Sequence, residues 1–217
     1  MTDAVTHELA PALEAGLDQL GLALPCEGRD KLLAYLDLLA KWNATYNLTA
    51  IRDRAQMVNL HLLDSLTVAR HILPGRLLDV GSGGGLPGIP LAIYAAVGLP
   101  GLHVTVLDSN HKKAAFLRQA KAELKLDNLE VSGERVEAWQ PEAKFTQIVS
   151  RAFSDLFEFF HLTESLAAPG CAWLAMKGVH PHDEIAQLPA QCKLETVHKL
   201  KVPGVDAERH LVVLRAA

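Results

Sequence analysis

The stretch from Leu77 to Pro90, LLDVGSGGGLPGIP, has the residue types and spacing best suited to binding a ligand. A buried strand is predicted to end at Asp79-Val80, and a loop with glycines at positions 81, 83, 84, 85 and 88 follows it. Glycine adopts dihedral angles that other residues avoid, and it lets a ligand lie directly against the main chain. A helix is predicted from about Pro87-Gly88, where proline is tolerated because first-turn amides lack a helical partner.

Two cofactors are compatible with this loop. Gly83-x-Gly85-x-x-Gly88 fits the dinucleotide fingerprint, and Asp108 follows about 20 residues later, where an acid that binds ribose is expected. The same loop also begins with an acid, Asp79, followed by glycines at alternate positions. That pattern resembles the first motif of class I S-adenosylmethionine-dependent methyltransferases, in which the acid after the second strand takes both ribose hydroxyls. A carboxylate suits either cofactor, because it accepts two charge-assisted hydrogen bonds from adjacent hydroxyls.

The position of Asp79 favours the methyltransferase. In the dinucleotide fold the negative pyrophosphate sits over the helix N-terminus, and a carboxylate just ahead of the loop would repel it. S-adenosylmethionine carries an ammonium group and a positive sulfur, which an acid attracts. A plain strand–turn–helix without any ligand is the third interpretation of the loop.

Composition is that of an ordinary soluble globular protein, with 217 residues, a net charge of -4 and 49% apolar residues. No apolar run reaches the ~20 residues that cross a bilayer, and the acidic N-terminus does not resemble a signal peptide. The three cysteines are too scattered for a disulfide framework, and His180-Pro-His182 has no further metal ligand at a suitable spacing. We expect a cytoplasmic monomer without a metal.

Apolar runs of strand length alternate with helical segments after Pro74-Gly75, which predicts a parallel, doubly wound α/β sheet covered on both faces. The predicted strands are Leu77–Val80, His103–Leu107, Leu129–Val131, Gln147–Val149, Cys171–Met176, Lys193–Lys201 and His210–Leu214. The last two have no helix between them and are predicted to form an antiparallel hairpin. The intervening helices are predicted near Leu91–Ala96, Lys112–Leu124, Asp155–Ala167 and Asp183–Leu188.

Residues 1–75 are predicted to form a helical extension, and residues 76–217 the cofactor-binding domain, in one compact unit. Apolar residues recur every three or four positions from Lys31 to Tyr46 and again from Met57 to Ile72, the period of a helix face. On the second of these helices, His61 and Asp64 either face the active site or belong to an exposed polar face.

Several longer motifs resemble the family of ribosomal RNA small subunit methyltransferase G, also called glucose-inhibited division protein B. The resemblance covers almost the whole chain, and its pieces are KWNATYNLTAI (41–51), HLLDSL (61–66), LLDVGSGGGLPGIPLAI (77–93), VTVLDSNHKKAAFLRQ (104–119), RVEAW (135–139), IVSRAF (148–153), MKG (176–178) and ERHLVVL (208–214). The LPGIP and SRAF pieces are far more specific than the glycines.

The resemblance implies a Rossmann-like class I methyltransferase fold with a seven-stranded, mostly parallel sheet. It implies transfer of a methyl group from S-adenosylmethionine, which leaves S-adenosylhomocysteine, to N7 of one guanine in the decoding-region loop of 16S rRNA. Carried over by motif, the residues expected at the cofactor are Gly81, Leu86, Asp108, Ser109, Val136, Glu137 and Arg151. The family usually has a second acid after the glutamate, and this chain has Ala138 there.

Guanine N7 carries a lone pair and no proton, so the reaction needs positioning rather than a catalytic base. The RNA partner, whether naked 16S rRNA, an assembly intermediate or the small subunit, requires basic residues for its phosphates. The candidates for these contacts are Lys112, Lys113, Arg118, Arg135, Lys177 and Arg209, with Arg52 and Arg54 as further possibilities. Each of them is also compatible with an ordinary surface charge.

Three other functions remain open from the residues alone. The first is methylation of a small molecule or of another RNA, since the fold does not determine the acceptor. The second is an NAD-dependent oxidoreductase, and the third a non-catalytic RNA-binding module that retains the cofactor fold.

Overall fold

A computed structural model of the protein describes residues 7–151, 153 and 155–217. Its centre is one seven-stranded sheet in the order β3-β2-β1-β4-β5-β7-β6. The strands are β1 (Gly75–Val80), β2 (Leu102–Leu107), β3 (Leu129–Ser132), β4 (Phe145–Ser150), β5 (Ala167–Lys177), β6 (Cys192–Leu200) and β7 (Arg209–Ala216). All seven predicted strands are therefore confirmed, together with the C-terminal hairpin.

The first five strands pair in parallel, and β7 pairs antiparallel with both β5 and β6. The hairpin folds back so that β7, rather than β6, lies next to β5. Only β7 runs against the other strands of the sheet. The carboxyl ends of β1, β2, β4 and β5 therefore meet at one edge, where ligands bind in open α/β sheets.

The helices are α1 (Ala10–Leu20), α2 (Cys26–Tyr46), α3 (Arg54–Met57), α4 (Asp64–Leu66), α5 (Gly88–Gly98), α6 (His111–Leu124), α7 (Leu156–Thr163) and α8 (His182–Ala186). A π-helical turn (Val58–Leu63) joins α3 to α4, and short 3-10 turns occupy Ala69–His71 and Glu164–Leu166. No helix in the described part of the chain is long and apolar enough to cross a membrane.

Two of the predicted helices differ from what the structure shows. The segment from Met57 to Ile72 is not one regular helix: the π turn and α4 follow the end of α3, and the 3-10 turn at Ala69–His71 comes after them. The predicted helix at 155–167 ends at Thr163, because β5 already begins at Ala167 and requires extended backbone there.

Apolar side chains pack on both faces of the sheet. One face, with Val104, Val106 and Leu174 among others, shares a single core with leucines of α1 and α2. The other face, including Trp173 and Ile148, packs mainly against α7. Apolar residues of the predicted helical extension and of the sheet therefore belong to one core.

Candidate active site

The glycine loop leaves β1 and turns back over its carboxyl end before α5 begins. Gly83 has a φ of 60°, and a Cβ built there would meet only a backbone oxygen 4.0 Å away, so the loop has an open side. Gly88 has no such space, because a Cβ there would approach Val106 Cγ1 to 2.5 Å and Asp79 Oδ2 to 2.7 Å. One glycine therefore opens the loop to a ligand, and the other allows α5 to pack against the sheet.

Asp79 holds this loop from beneath. Its side chain is completely buried, and Oδ2 accepts hydrogen bonds from Ser82 Oγ at 2.6 Å and from the Gly88 amide at 2.8 Å. Oδ1 has no partner among the described residues. Burial raises the pKa of Asp79 to about 6. From the sequence, Asp79 was expected to attract the positive charges of the cofactor, whereas in the structure its side chain is buried beneath the loop and bonds to the loop itself.

Asp108 follows β2 and lies directly beside the glycine loop. Its Oδ2 accepts from the Gly83 amide at 2.9 Å and its Oδ1 from the Asn110 amide at 2.9 Å. Lys113 Nζ lies 3.6 Å from Oδ2. Asn110 caps α6 by accepting from the amides of Lys112 and Lys113, so the start of α6 and the carboxylate are fixed together.

A cavity of about 250 Å³ opens at the carboxyl ends of β1 and β2, and we call it the cofactor cavity. It brings together five of the seven predicted cofactor residues, namely Gly81, Asp108, Ser109, Val136 and Glu137. Its other walls are Val80, Leu107, Glu134, Arg135, Phe153 and Leu162. A carboxylate at the wall of a cavity beside an open glycine loop fits an adenosine whose ribose hydroxyls bind the acid.

The other two predicted cofactor residues do not line this cavity. Leu86 is buried at 5% exposure in the apolar core, because the tight loop turns its side chain inward. Arg151 points to a different cavity, where Asp64 holds it. Arg135, predicted as a phosphate contact, is an exposed residue at the wall of the cofactor cavity. Ala152, in the SRAF motif, lies outside the described residues.

The second cavity has a volume of about 340 Å³, and we call it the Asp64 cavity. It lies where β4, β5 and β6 end and β7 begins, so the end of β4 separates it from the cofactor cavity. Its lining contains Ile51, Leu60, His61, Asp64, Arg151, Met176, Lys177, Gly178, Leu200, Arg209 and His210. His61 and Asp64 are only 4% and 3% exposed, which excludes the interpretation that they belong to an exposed polar face.

Asp64 joins two arginines that are far apart in sequence. Its Oδ2 accepts from Arg151 Nη1 at 3.1 Å, and its Oδ1 accepts from Arg209 Nε at 3.0 Å. Arg151 Nη1 also donates to the carbonyl of Leu60 at 3.1 Å. The cavity wall is therefore a buried carboxylate with one guanidinium on each side.

His61 is a neutral member of this wall. Its Nδ1 lies 2.9 Å from the Leu60 carbonyl and its Nε2 2.9 Å from Thr49 Oγ1. Burial, together with the nearby Arg151 charge, lowers the pKa of His61 to about 4. At neutral pH the imidazole is a hydrogen-bonding group without a charge.

The predicted phosphate-binding residues fall into two groups. Lys112, Lys113 and Arg118 lie on α6 near the cofactor cavity, and Lys112 is 5.7 Å from the Tyr46 ring centroid. Lys177 and Arg209 line the Asp64 cavity. Lys177 Nζ is 2.7 Å from Glu184 and 3.2 Å from the Phe153 carbonyl, and its side chain is 10% exposed. Its charge is therefore neutralised inside the protein, which is a less suitable place for a phosphate contact.

Tyr35 was not singled out from the sequence. It is fully buried on α2, and its hydroxyl donates to the carbonyl of Gly84 in the glycine loop. Tyr35 occupies an apolar position of the helix, so in the sequence it looks like an ordinary core residue. Its polar hydroxyl is the one feature that could have indicated a further role. Two asparagines of α2 have structural roles: Asn43 bonds Ile51 and Thr49, and Asn47 accepts from Arg52.

Comparisons with known proteins agree with this arrangement. Residues 29–212 match the family described as GidB, rRNA small subunit methyltransferase G. A protein of that name from Pseudomonas paraeruginosa is 54% identical over 213 residues, covering 98% of each chain. Another, from Laribacter hongkongensis, is 55% identical over 206 residues, covering 95% of this chain and 98% of the relative.

Among solved structures, the ribosomal protein L11 methylase from Lactobacillus delbrueckii subsp. bulgaricus superposes with a TM-score of 0.54 at 14% identity. The match covers 77% of this chain and 89% of that one. This similarity confirms the class I methyltransferase fold. The sequence relationship is much closer and spans nearly the whole chain, so the protein belongs to the rRNA small subunit methyltransferase G family.

Proposed function

We propose that this enzyme transfers a methyl group from S-adenosylmethionine to N7 of a single guanine in 16S rRNA, expected at position 527. The observation that carries the proposal is the pair of cavities on either side of the end of β4. One offers a carboxylate for ribose hydroxyls, and the other offers donors and an acceptor for a base. A ribosomal substrate implies that the enzyme works in the cytoplasm, and we propose that it acts as a monomer.

The cofactor-side residues have separable tasks. Asp108 accepts from the ribose hydroxyls, with Ser109 beside it. Gly81 lets the cofactor lie against the backbone, and Val136 and Glu137 contact the adenine. S-adenosylmethionine supplies an electrophilic methyl group when bound. The chain's own contribution is to hold the guanine so that N7 lies in line with that methyl group. Positioning of this kind lowers the activation barrier by as much as ~7–11 kcal/mol.

This reaction requires no proton transfer from N7. The titratable groups around the Asp64 cavity agree with that requirement, because His61 is neutral and hydrogen-bonded on both nitrogens. The cations Lys112, Lys113 and Arg118 on α6, with Arg135 and Arg209, are proposed to hold RNA phosphates around the target. The target guanine must be unstacked or in a loop, since regular A-form RNA buries the N7 edge in a deep, narrow groove.

The cofactor assignment is tested by calorimetry with S-adenosylhomocysteine and NAD on the same protein. We expect S-adenosylhomocysteine to bind and NAD not to bind. Asp108→Asn removes the charge from the ribose hydrogen bonds and is expected to weaken S-adenosylhomocysteine by about 10- to 100-fold, since hydrogen bonds to charged groups contribute ~1.5–3 kcal/mol. Tight NAD binding alone would favour an oxidoreductase.

The acceptor assignment is tested by methyl transfer to small ribosomal subunits that lack the modification, compared with naked 16S rRNA. Transfer to either supports the proposal and identifies the preferred substrate. A non-catalytic RNA-binding module would bind RNA without transfer, and Asp108→Asn would leave its RNA affinity unchanged. Cofactor binding with no methyl transfer to any ribosomal RNA would favour a small molecule as the methyl acceptor.

A further inference from the structure

One wall of the Asp64 cavity carries a buried carboxylate between two guanidinium groups. Among the described residues that line it, Asp64 is the one carboxylate, and it is 3% exposed. Burying a carboxylate is costly unless charged or hydrogen-bonding partners surround it, and Arg151 and Arg209 provide them. This arrangement places an acceptor between two donors on the wall of a cavity large enough for a nucleobase.

These groups retain unused hydrogen-bonding capacity. Each Asp64 oxygen accepts one side-chain hydrogen bond in the structure, whereas an ionised carboxylate has about four acceptor sites. Within the described part of the chain, Nη2 of Arg151 and Nη2 of Arg209 make no hydrogen bond. The wall therefore offers free acceptor positions next to free donor positions.

This pattern matches one base. The Watson–Crick edge of guanine presents a carbonyl acceptor, O6, beside two donors, the N1–H and the 2-amino group. The corresponding edge of adenine presents an amino donor beside an N1 acceptor, which a carboxylate repels. Cytosine and uracil lack the adjacent pair of donors that one carboxylate binds in a bidentate manner.

We propose that Asp64 is the specificity-determining residue for guanine, accepting hydrogen bonds from N1–H and the 2-amino group while an arginine donates to O6. This inference rests on the proposed function. Gripping the Watson–Crick edge leaves N7 free on the other side of the purine. Methylation gives the ring a positive charge, and a carboxylate bound to N1–H stabilises that charge as it develops.

A simpler role for Asp64 is to hold the two arginines in place without touching the base. The two roles predict different effects on the reaction when a group on the base is removed. Inosine lacks only the 2-amino group of guanosine and keeps N1–H, O6 and N7, so it removes one proposed contact and nothing else. A residue that only holds arginines is insensitive to that amino group.

The experiment measures kcat/KM on small subunits reconstituted with guanosine or with inosine at the methylated position, for the wild type and for Asp64→Asn. We expect the wild type to prefer guanosine by about 10- to 100-fold, the effect of losing one hydrogen bond to a charged group. Asp64→Asn should lower the guanosine rate and lose most of this preference. Its affinity for S-adenosylhomocysteine should be unchanged, because Asp64 does not line the cofactor cavity.

The exposed Asp18 on α1 provides a matched control: Asp18→Asn should keep both rate and preference. A wild type that methylates inosine as well as guanosine overturns the inference, even if Asp64→Asn does not fold. Equal losses on both bases in Asp64→Asn, with the preference intact, also overturn it and favour the arginine-holding role. No methylation of guanosine by the wild type would instead contradict the proposed function.

Discussion

At the scale of single residues, the carboxylate of Asp79 is fully buried, so its titration should change the free energy of unfolding of the protein. Burial raises its pKa from 3.8 to about 6 in the folded state. Between those values the folded protein keeps the proton that the unfolded chain has released. Stability from this residue is therefore present below about pH 4 and is lost as the pH rises through about 6.

This gives a prediction for Asp79→Asn, whose side chain does not titrate. The free energy of unfolding of the wild type, relative to Asp79→Asn, should fall by about 3 kcal/mol from pH 4 to 7, since one pKa unit corresponds to 1.36 kcal/mol. Urea unfolding across this pH range measures the difference, and other titrating groups cancel. A difference that stays constant with pH would show that the carboxylate is not destabilised by burial.

Residue roles were predictable where a short motif defines them and not where distant segments meet. Gly81, Asp108 and Ser109 follow adjacent strand ends, so the motif alone located them at one cavity. Asp64 depends on arginines 87 and 145 positions away, and no local pattern reports such a contact. Leu86 belongs to the same motif, but its side chain lies in the apolar core, because membership of a binding motif does not determine which way a side chain points.

At the scale of elements, α2 braces the glycine loop through Tyr35. Tyr35→Phe removes the hydroxyl and leaves the Gly84 carbonyl buried without this donor, which should destabilise the protein by about 1–3 kcal/mol. Weaker binding of S-adenosylhomocysteine should accompany the loss, because the loop becomes less rigid. Chemical denaturation and calorimetry measure the two effects.

Tyr46→Phe is the matched control on the same helix, since Tyr46 is 43% exposed and its hydroxyl makes no hydrogen bond in the described structure. It should change neither quantity. If Tyr35→Phe behaved like Tyr46→Phe, the connection between α2 and the loop would have no energetic importance.

The first turn of helix α6 lies next to Asp108. RNA phosphates bound by the basic residues of this helix would therefore lie close to the cofactor. If Arg118 neutralises a phosphate, Arg118→Gln should reduce the slope of log affinity against log salt by about 0.7 to 0.9. Filter binding to 16S rRNA over a range of salt measures the slope. Lys193→Gln, on β6 at the opposite edge of the sheet, should leave it unchanged. Identical slopes for all three proteins would exclude Arg118 from the interface.

The elements themselves were largely predictable. Central parallel strands are buried on both faces, so they appear in the sequence as apolar runs between glycine and proline signals. The π turn at Val58–Leu63 was not predictable, because a single extra residue in a turn leaves the apolar period almost intact. That turn is adjacent to Asp64, and π-helical turns are frequent at functional sites.

At the scale of the whole molecule, the helical extension and the cofactor-binding domain share one apolar core. A chain limited to residues 76–217 would expose the apolar surface that α1 and α2 cover. We predict that this fragment does not unfold cooperatively, whereas the full chain unfolds in one transition. Calorimetric or circular dichroism melting distinguishes them. A fragment with its own sharp transition and full S-adenosylhomocysteine affinity would show that the extension is a separate domain.

The central claim is that two neighbouring cavities bring a methyl donor and one guanine N7 together. Its most direct test uses methyl-labelled S-adenosylmethionine, this enzyme and small subunits that lack the modification, followed by digestion to nucleosides and mapping of the labelled position. All label should be recovered as 7-methylguanosine from a single loop position. Label on another atom or base would contradict this claim. So would the absence of label on small subunits and on naked 16S rRNA alike, from a protein that still binds S-adenosylhomocysteine.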